Sequence, residues 1–548
     1  MRLDRVLIDG FKNLNKVEIH FDVDCLTTVV IGQNGAGKSN LIEAITEVFR
    51  AVDLNERSLH FTYEIDYQIR GRAVGLSNRT GKATISVDGV AISRSAFDGE
   101  RSAYFPELIF GYYSGSGRRL EKLFDAHQVR YYSVINKDRP ELEYEVAQQA
   151  RRMFYCRPIH GVFALLAHFA RQDDTEGLDA LLCEKLGITN FHSALAHFKE
   201  PSWFNHTNWK KAQSVEAAAP GRGRRAYTEL ADQARDVWGA RGPAGACARA
   251  LLDVAFHPLA LTGKVVDDYR DKPRMEAQLA CFVRDAAALK QFAAMYASDQ
   301  EVFAALEAAD ISDLFREMIV WVTRKNDATG DVSFSDLSDG ERQLLMVLGL
   351  IRVSRGKEAL FLLDEPDTHL NPAWQLNYLD LIADWTGVAA DRDRCQIILT
   401  SHNPLTIAAL EAKQVRIMAV GDNDAVTVAA PVVDPRGLGF TATLTEIFGL
   451  PTTLDLETQR QIDDRNALAR LEHRSEAQEK ILIELNDKLN RLGFLNESRE
   501  PLYQEFLQAW QDVRYADRPP LSPEQVEARR AAMQILIKSL TQEPGIAH

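Results

Sequence analysis

The sequence lacks several features that would have classed it at once. It has only six cysteines in 548 residues, Cys25, Cys156, Cys183, Cys247, Cys281 and Cys395, far apart and never as Cys-x-x-Cys. Neither a disulfide framework nor a zinc ribbon is expected, and a reducing compartment fits. No apolar run approaches the ~18 residues that span a bilayer. The opening Met1-Arg2-Leu3-Asp4-Arg5 enters a strand-like pattern directly, without the apolar core of a signal peptide. These absences predict a cytoplasmic protein that engages no membrane. Positive charge is not in excess either. The formal net charge of −14 excludes a histone-like grip on nucleic acid, while a local basic groove stays open. No repeat period and no sustained heptad run occurs, which excludes a solenoid and a long coiled-coil arm. There is no His-Glu-x-x-His, and His192 and His197 are badly spaced for one helix face. Structural histidines and no zinc or nuclease-metal cluster are the expectation.

What is present is ordinary globular composition, 46% apolar and 26% charged, so most of the chain should fold. The length suggests three to four domain-sized units. Residues 1–50 read as strand, turn, two strands, glycine-rich loop and helix. Residues 51–115 read as β-rich, with Asp88-Gly89 as a hairpin turn after the alternating Ala83–Val87. From about 140 to 325 the pattern reads as mostly helical. Residues 330–420 return to alternating strand and helix, with Leu360–Leu363 and Cys395–Leu399 as continuous apolar strands of the buried parallel kind. From about Leu456 the tail is helical. Leu482, Leu485, Leu489 and Leu492 suit a short helical hairpin, and Ser522-Pro523-Glu524-Gln525 starts a last helix with a capping box. The expected division is 1–130, an N-terminal lobe; 131–328, a mainly helical insertion; 329–453, a C-terminal lobe; and 454–548, a helical tail.

Chemistry concentrates in a few short stretches. Gly32-Gln33-Asn34-Gly35-Ala36-Gly37-Lys38-Ser39 matches the phosphate-binding pattern G-x-x-x-x-G-K-S between a buried strand and a helix. Its glycines free backbone N–H groups to wrap phosphate oxygens. Lys38 can reach the β- and γ-phosphates of ATP, Ser39 can bind Mg²⁺, and the helix opening at Asn40 points its positive end at the anion. Leu360–Leu363 ends in Asp364-Glu365 at a strand's C-terminal edge, where α/β sheets bind ligands. Asp364 suits Mg²⁺, and Glu365 suits the polarising of an attacking water. Leu337-Ser338-Asp339-Gly340-Glu341-Arg342-Gln343 is, taken alone, also a well-capped helix start.

In combination, these stretches are similar to the ATPase heads of the ABC type found in RecF-like, OLD-like and chromosome-maintenance proteins. Leu337–Gln343 resembles the L-S-G-G-Q/E signature, with Asp339 in place of the first glycine. The resemblance implies that Ser338 and Gly340 cap the γ-phosphate of ATP held by a second copy. Pro366–Pro372 resembles the D-loop, and Thr400-Ser401-His402 the switch histidine, which implies that His402 senses the γ-phosphate. Phe11-Lys12-Asn13-Leu14 resembles the opening of RecF-like heads, which implies Lys12 and Asn13 near the base. Tyr112–Ser116 stands where the family has its Q-loop glutamine, with Ser114 in that place. The implied fold is an α/β, P-loop ABC-type head, a mixed sheet flanked by helices, with a helical insertion and a helical C-terminal tail.

About 300 residues separate Ser39 from Leu337, far more than in transporter ATPases, and no Toprim-like Glu and Asp-x-Asp set follows His402. Among compact heads, Gly111–Gly115, the insertion and Leu489–Phe506 most resemble the PtuA-type ATPases of Septu antiphage defence, including those attached to retrons. That resemblance implies a homo-oligomer, a separate small HNH nuclease (PtuB-like) as partner, and DNA or RNA, including retron nucleic acid, as a further ligand. Arg222, Arg224, Arg225 and Arg241 read as a basic loop able to touch phosphate backbones, or equally as a solvated loop. The alternative to a defence switch is a RecF-like DNA-repair ATPase acting without a nuclease.

Overall fold

The computed structural model describes residues 1–492 except 57, 136–151, 172–181, 205–233, 235, 267–268, 271, 354–356, 386–393, 422–424, 451 and 472, and beyond these residue 532. The chain divides into two compact units. One is Met1–Ile407 with Lys413–Ala429, the other Ala408–Ala412 with Ala430–His548.

The first unit is organised by a seven-stranded sheet. Its order is β18 (Val426–Ala429), β17 (Val415–Val420), β3 (Thr27–Gly32), β16 (Cys395–Thr400), β15 (Ala359–Asp364), β8 (Leu108–Tyr113) and β9 (Met153–Tyr155). All neighbours are parallel except β17 and β18. Every residue of β3, β15 and β16 is buried. That is why they read as unbroken apolar runs and not as alternations. The register places Asp364 beside Thr400 on one side and Tyr113 on the other. Gly32 pairs with Met418. Four chemically equipped strand ends therefore meet at one edge.

A second, antiparallel sheet orders β2 (Val17–His20), β1 (Arg2–Asp9), β4 (Thr62–Ile69), β5 (Arg72–Ser77), β6 (Thr84–Val87) and β7 (Val90–Ile92). Asp88 and Gly89 both have positive φ, 50° and 78°. The Asp-Gly turn expected there closes the β6–β7 hairpin with the twist that paired strands favour. Helix α1 (Lys38–Leu54) follows the glycine loop and buries Leu41, Ile42, Ile45, Val48 and Phe49. These belong to one core with Val6, Ile8, Ile65 and Tyr67 of the antiparallel sheet and Leu360 and Leu362 of the parallel one.

The insertion differs from expectation. Helices are present, α2 (Asp125–Ile135), α3 (Ile159–Ala170), α4 (Gly242–Val254) and α5 (Asp299–Ile311). Alongside them stands a five-stranded antiparallel sheet. It is ordered β11 (Leu259–Val265), β12 (Arg274–Val283), β10 (Ile188–Lys199), β13 (Phe315–Arg324) and β14 (Asp327–Ser333). "Mainly helical" is therefore corrected to α+β. The misreading has a cause. β12 is RMEAQLACFV, rich in helix formers, and β10, ITNFHSALAHFK, carries Ala-Leu-Ala at its centre. The partners of β10 lie far along the chain, and pairing overrides such weak local preference. His192 and His197 sit in β10 and not on a helix.

Helix α6 (Asp339–Val353) precedes β15 in the chain and helix α7 (Pro372–Trp385) follows it. The second unit contains a helical hairpin, α8 (Leu456–Ala469) and α9 (Glu476–Arg491). Asp455 caps α8, and Ser475 with Gln478 forms a capping box on α9. Leu482 and Leu489 are buried, while Leu492 is exposed. The Leu489–Phe506 stretch beyond 492, the capping box at Ser522 and the arginines at 222, 224 and 225 lie outside the described residues. Among the described residues no helix is long and apolar enough to cross a membrane.

Candidate functional site

The loop between β3 and α1 is shaped by three glycines of positive φ. Gly32 has φ +152°, and a Cβ there would lie 2.1 Å from the Met418 carbonyl oxygen. Gly37 has φ +94°, and its Cβ would meet Leu14 at 2.8 Å and the Asn13 amide at 2.9 Å. Gly35, φ +87°, has nothing within 4 Å of its Cβ position. Two glycines are thus demanded by the packing behind the loop, while the third opens the loop to solvent. Gln33, Asn34 and Gly35 are exposed, and Ala36 is buried as the loop's anchor. Asn34, Gly35, Gly37, Lys38, Ser39 and Asn40 line one cleft with Arg119 and Glu365.

Lys38 is 5% exposed. Its ammonium donates to the carbonyls of Gly32 at 2.8 Å and Gln33 at 3.2 Å. Burial pushes its pKa down, against the pull of Glu365 and Asp364. A buried cation held only by neutral carbonyls, beside an open glycine cradle, fits an anionic ligand such as the phosphates of ATP.

Asp364 accepts from the Thr400 hydroxyl at 2.5 Å and the Ser39 hydroxyl at 3.0 Å, both on Oδ1. Burial raises its pKa, and those two hydroxyls oppose the rise. Ser39 and Asp364 form a small set of hard oxygen donors of the kind Mg²⁺ takes together with phosphate oxygens. Glu365 follows with φ 54°, a strained backbone for a non-glycine residue. Its N–H is held by the carbonyl of Thr400 at 3.2 Å and by that residue's hydroxyl at 3.1 Å. This twist turns the Glu365 carboxylate to His402, whose Nδ1 lies 3.3 Å from Oε1. The contact lowers the Glu365 pKa and raises that of His402. Three stretches distant in sequence, the loop, the Asp364-Glu365 pair and Thr400–His402, therefore converge at one sheet edge.

Ser338 and Gly340 lie apart from this edge, in a cleft of about 490 Å³ with Asp339, Glu341, His369, Asn371 and Trp374. That cleft and the phosphate cleft share no lining residue. Ser338 is engaged locally, its N–H and hydroxyl donating to Glu341 Oε2 at 2.7 and 2.9 Å. A Cβ on Gly340 would be 2.5 Å from the His369 carbonyl, so this glycine lets the start of α6 approach the Pro366–Pro372 loop. Asp367 in that loop is buried and accepts from Ser401 at 2.6 Å and from Thr406.

Asn13 is placed on the phosphate loop, donating to the Gly35 carbonyl at 2.8 Å and accepting from Asn40 at 2.7 Å. Lys12 goes elsewhere, to the buried carboxylate of Glu43 on α1, and does not line the cleft. Ser114 faces the Thr368 hydroxyl at 3.3 Å. Sequence reasoning missed Thr400 as a partner of Asp364, and it missed Arg119 and Glu43 altogether. Thr400 was legible as the strand end before His402, whereas nothing local marks Arg119. Among the described residues no group of three or more His, Cys, Asp or Glu side chains forms a metal cluster.

Comparison with family models adds two matches. Residues 1–91 match one described as "AAA ATPase domain". Residues 268–408 match one described as "AAA domain, putative AbiEii toxin, Type IV TA system". Curated proteins give no match. Similar solved structures include an Smc head bound to the C-winged helix domain of ScpA, at 13% identity over 78% of this chain and 97% of that one, TM-score 0.30. An Smc head with coiled coil and joint from Pyrococcus yayanosii gives the same values. The recombination mediator RecF with ATP gives 14% identity, the same coverage and TM-score 0.25. The two segments similar to AAA ATPase domains are the ones that supply the phosphate loop and the Asp364–His402 edge, and together they build a mixed α/β ATPase fold.

Proposed function

We propose that this chain is an ATP-binding and ATP-hydrolysing switch that works as a pair of copies, and that it is the scaffold controlling a small HNH nuclease in antiphage defence. The observation that carries the switch is the separation of the two clefts. Ser338 and Gly340 line one, Lys38, Ser39 and Glu365 line the other, and no residue is common to both. A signature that lines a cleft separate from its own phosphate loop is suited to serve a second copy's.

Mg²⁺, when bound with ATP, neutralises charge on the β- and γ-phosphate oxygens. Ser39 and Asp364 are the residues to hold it, and Asp364 would exchange its hydrogen bond from Ser39 for the cation. Lys38 and the loop N–H groups grip the phosphates. Glu365 orients a water and takes its proton, and His402 sets when Glu365 is available. The second copy's Ser338 must leave Glu341 to reach the phosphate, so closure of the pair competes with a local cap. Nucleotide shifts the balance between open and closed pairs only by the difference in its affinity for the two.

The nuclease partner, and DNA or RNA as its target, rest on the resemblance of Gly111–Gly115 and the tail to Septu-type ATPases. The test is affinity purification of the full chain from its host, wild type and Glu365→Gln, followed by mass spectrometry. A stoichiometric small HNH nuclease, retained or enriched with Glu365→Gln, is the expected result. If only this chain and DNA are recovered, the RecF-like repair reading replaces the defence reading.

A further inference from the structure

Arg119 follows the turn after β8, and no motif accounts for it. Its Nε donates to the Glu43 carboxylate, and its Nη2 donates to Asn40 Oδ1 at 3.0 Å. Asn40 and Glu43 are three residues apart on α1, immediately after the glycine loop, so they present one face to it. The guanidinium also lies over the Tyr113 ring, 5.9 Å from its centroid. Three contacts from two elements thus hold a side chain that is otherwise long and flexible. Its Nη1 has no hydrogen-bond partner among the described residues, and the residue lines the phosphate cleft with Gly35, Lys38, Ser39 and Glu365.

The charge balance matters as much as the position. Glu43 is 5% exposed and has a second cation, Lys12. One buried carboxylate with two cations leaves the cluster a net positive charge next to the loop. An arginine serving only to neutralise Glu43 would be redundant with Lys12. An arginine held by Glu43 and Asn40, with donors to spare in the cleft, is suited to a second anion. Guanidinium meets phosphate oxygens through paired N–H donors in a fixed fork, which a lysine cannot reproduce.

We infer that Arg119 is the residue by which this cleft distinguishes a nucleoside triphosphate from a diphosphate, contacting the terminal phosphate while Glu43 and Asn40 hold the guanidinium in place. The inference rests on the cleft being the nucleotide site proposed above. It concerns one copy alone and needs no second chain. It also gives the Phe11–Leu14 turn a part. Hydrogen bonds run from the Gly35 carbonyl through Asn13 and Asn40 to Arg119, so a phosphate that draws on Arg119 is felt at the β1–β2 turn.

The test is equilibrium binding of Mg·ATP and Mg·ADP, each by displacement of a fluorescent nucleotide, to the full chain. The variants are Arg119→Ala, Arg119→Lys and Lys38→Ala. Arg119→Ala should lose about ten- to a hundredfold in ATP affinity, the worth of a charge-assisted hydrogen bond, and at most about twofold for ADP. Arg119→Lys should fall between, because it keeps the charge and loses the fork. Equal losses for the two nucleotides, or none, would reduce Arg119 to a structural cation and overturn the inference. Should Arg119→Ala fail to fold, Arg119→Lys carries the test, and an unchanged ATP-to-ADP ratio overturns the inference. Lys38→Ala should lose both nucleotides. If the wild type binds neither and Lys38→Ala does not differ from it, the nucleotide reading itself falls, and this inference with it.

Discussion

Gly32→Ala should destabilise the first unit through the back of the phosphate loop, while Gly35→Ala, three residues on, should disturb binding and leave the fold nearly intact. At Gly32 the added Cβ would sit 2.1 Å from the Met418 carbonyl oxygen, against an ordinary contact of 3.4 Å, an overlap of 3.4 − 2.1 = 1.3 Å. Both atoms belong to neighbouring parallel strands, β3 and β17, so neither can swing aside as a side-chain tip would. Overpacking of this kind costs about 1–3 kcal/mol, and a backbone held at φ +152° adds about 1–3 kcal/mol for a residue with a Cβ. A combined cost of about 4 kcal/mol corresponds to a fall of roughly 10 °C in melting temperature for a large domain. At Gly35 only the left-handed backbone is charged, about 1–2 kcal/mol, because no atom stands within 4 Å. There the Cβ enters the cleft instead. Scanning fluorimetry of the full chain, with and without Mg·ATP, separates the two. Gly32→Ala should melt early in both conditions. Gly35→Ala should melt within a few degrees of wild type, yet lose most of the shift that a saturating ligand brings. Equal melting temperatures for the two variants would refute the placement of Gly32 against Met418.

Three other outcomes follow from the same geometry. The Glu365–His402 contact contributes through Glu365 above that group's unfolded pKa, fading as pH falls through its lowered folded value. It contributes through His402 below the unfolded histidine pKa, fading as pH rises through the raised one. The pair is therefore closed in mild acid and opens on the alkaline side, so ATP turnover should rise with pH above the ordinary histidine pKa of about 6.5. His402→Gln should abolish that rise, and an unchanged profile would speak against the pairing. Asp53, fully buried at the end of α1, meets Arg101 at 2.7 Å and His127 at 2.9 Å, with Arg130 at 3.4 Å. Asp53→Ala takes the carboxylate away from the buried His127 and the partly buried Arg101 and should cost about 1–3 kcal/mol in urea unfolding, and a loss below about 0.5 kcal/mol would mean that the site is resolvated. Gly340→Ala drives a Cβ to 2.5 Å from the His369 carbonyl. In a Glu365→Gln background it should abolish ATP-dependent pairing, seen as mass by light scattering, while each copy still binds nucleotide, and pairing that persists would remove Ser338 and Gly340 from the interface.

The amino-acid sequence by itself determined the parts whose physics is local. The β3–loop–α1 unit was legible because a phosphate cradle needs glycine at positions of positive φ, and a buried parallel strand needs an unbroken apolar run. Asp364-Glu365 was legible only in company with the phosphate loop, since two carboxylates after a strand are often just a solvated turn. The Asp88-Gly89 turn was legible because it is complete within four residues, whereas the capping box of Ser475 and Gln478 on α9 was not read from the sequence. The tertiary structure decided the rest. The sheet in the insertion joins β10 to a strand more than a hundred residues on, and long-range pairing outweighs the helical leaning of alanine, leucine and glutamine in β12. Arg119, Glu43 and Lys12 carry no signature, since a lone arginine acquires its role only from what packs against it. Nothing in the sequence signalled the hydrogen bond by which the fold ties Asn13 to the loop's own carbonyl at Gly35. The two clefts, one lined by Ser338 and the other by Lys38, accord with the expectation that the signature serves a second copy, but only the fold shows which residues line each.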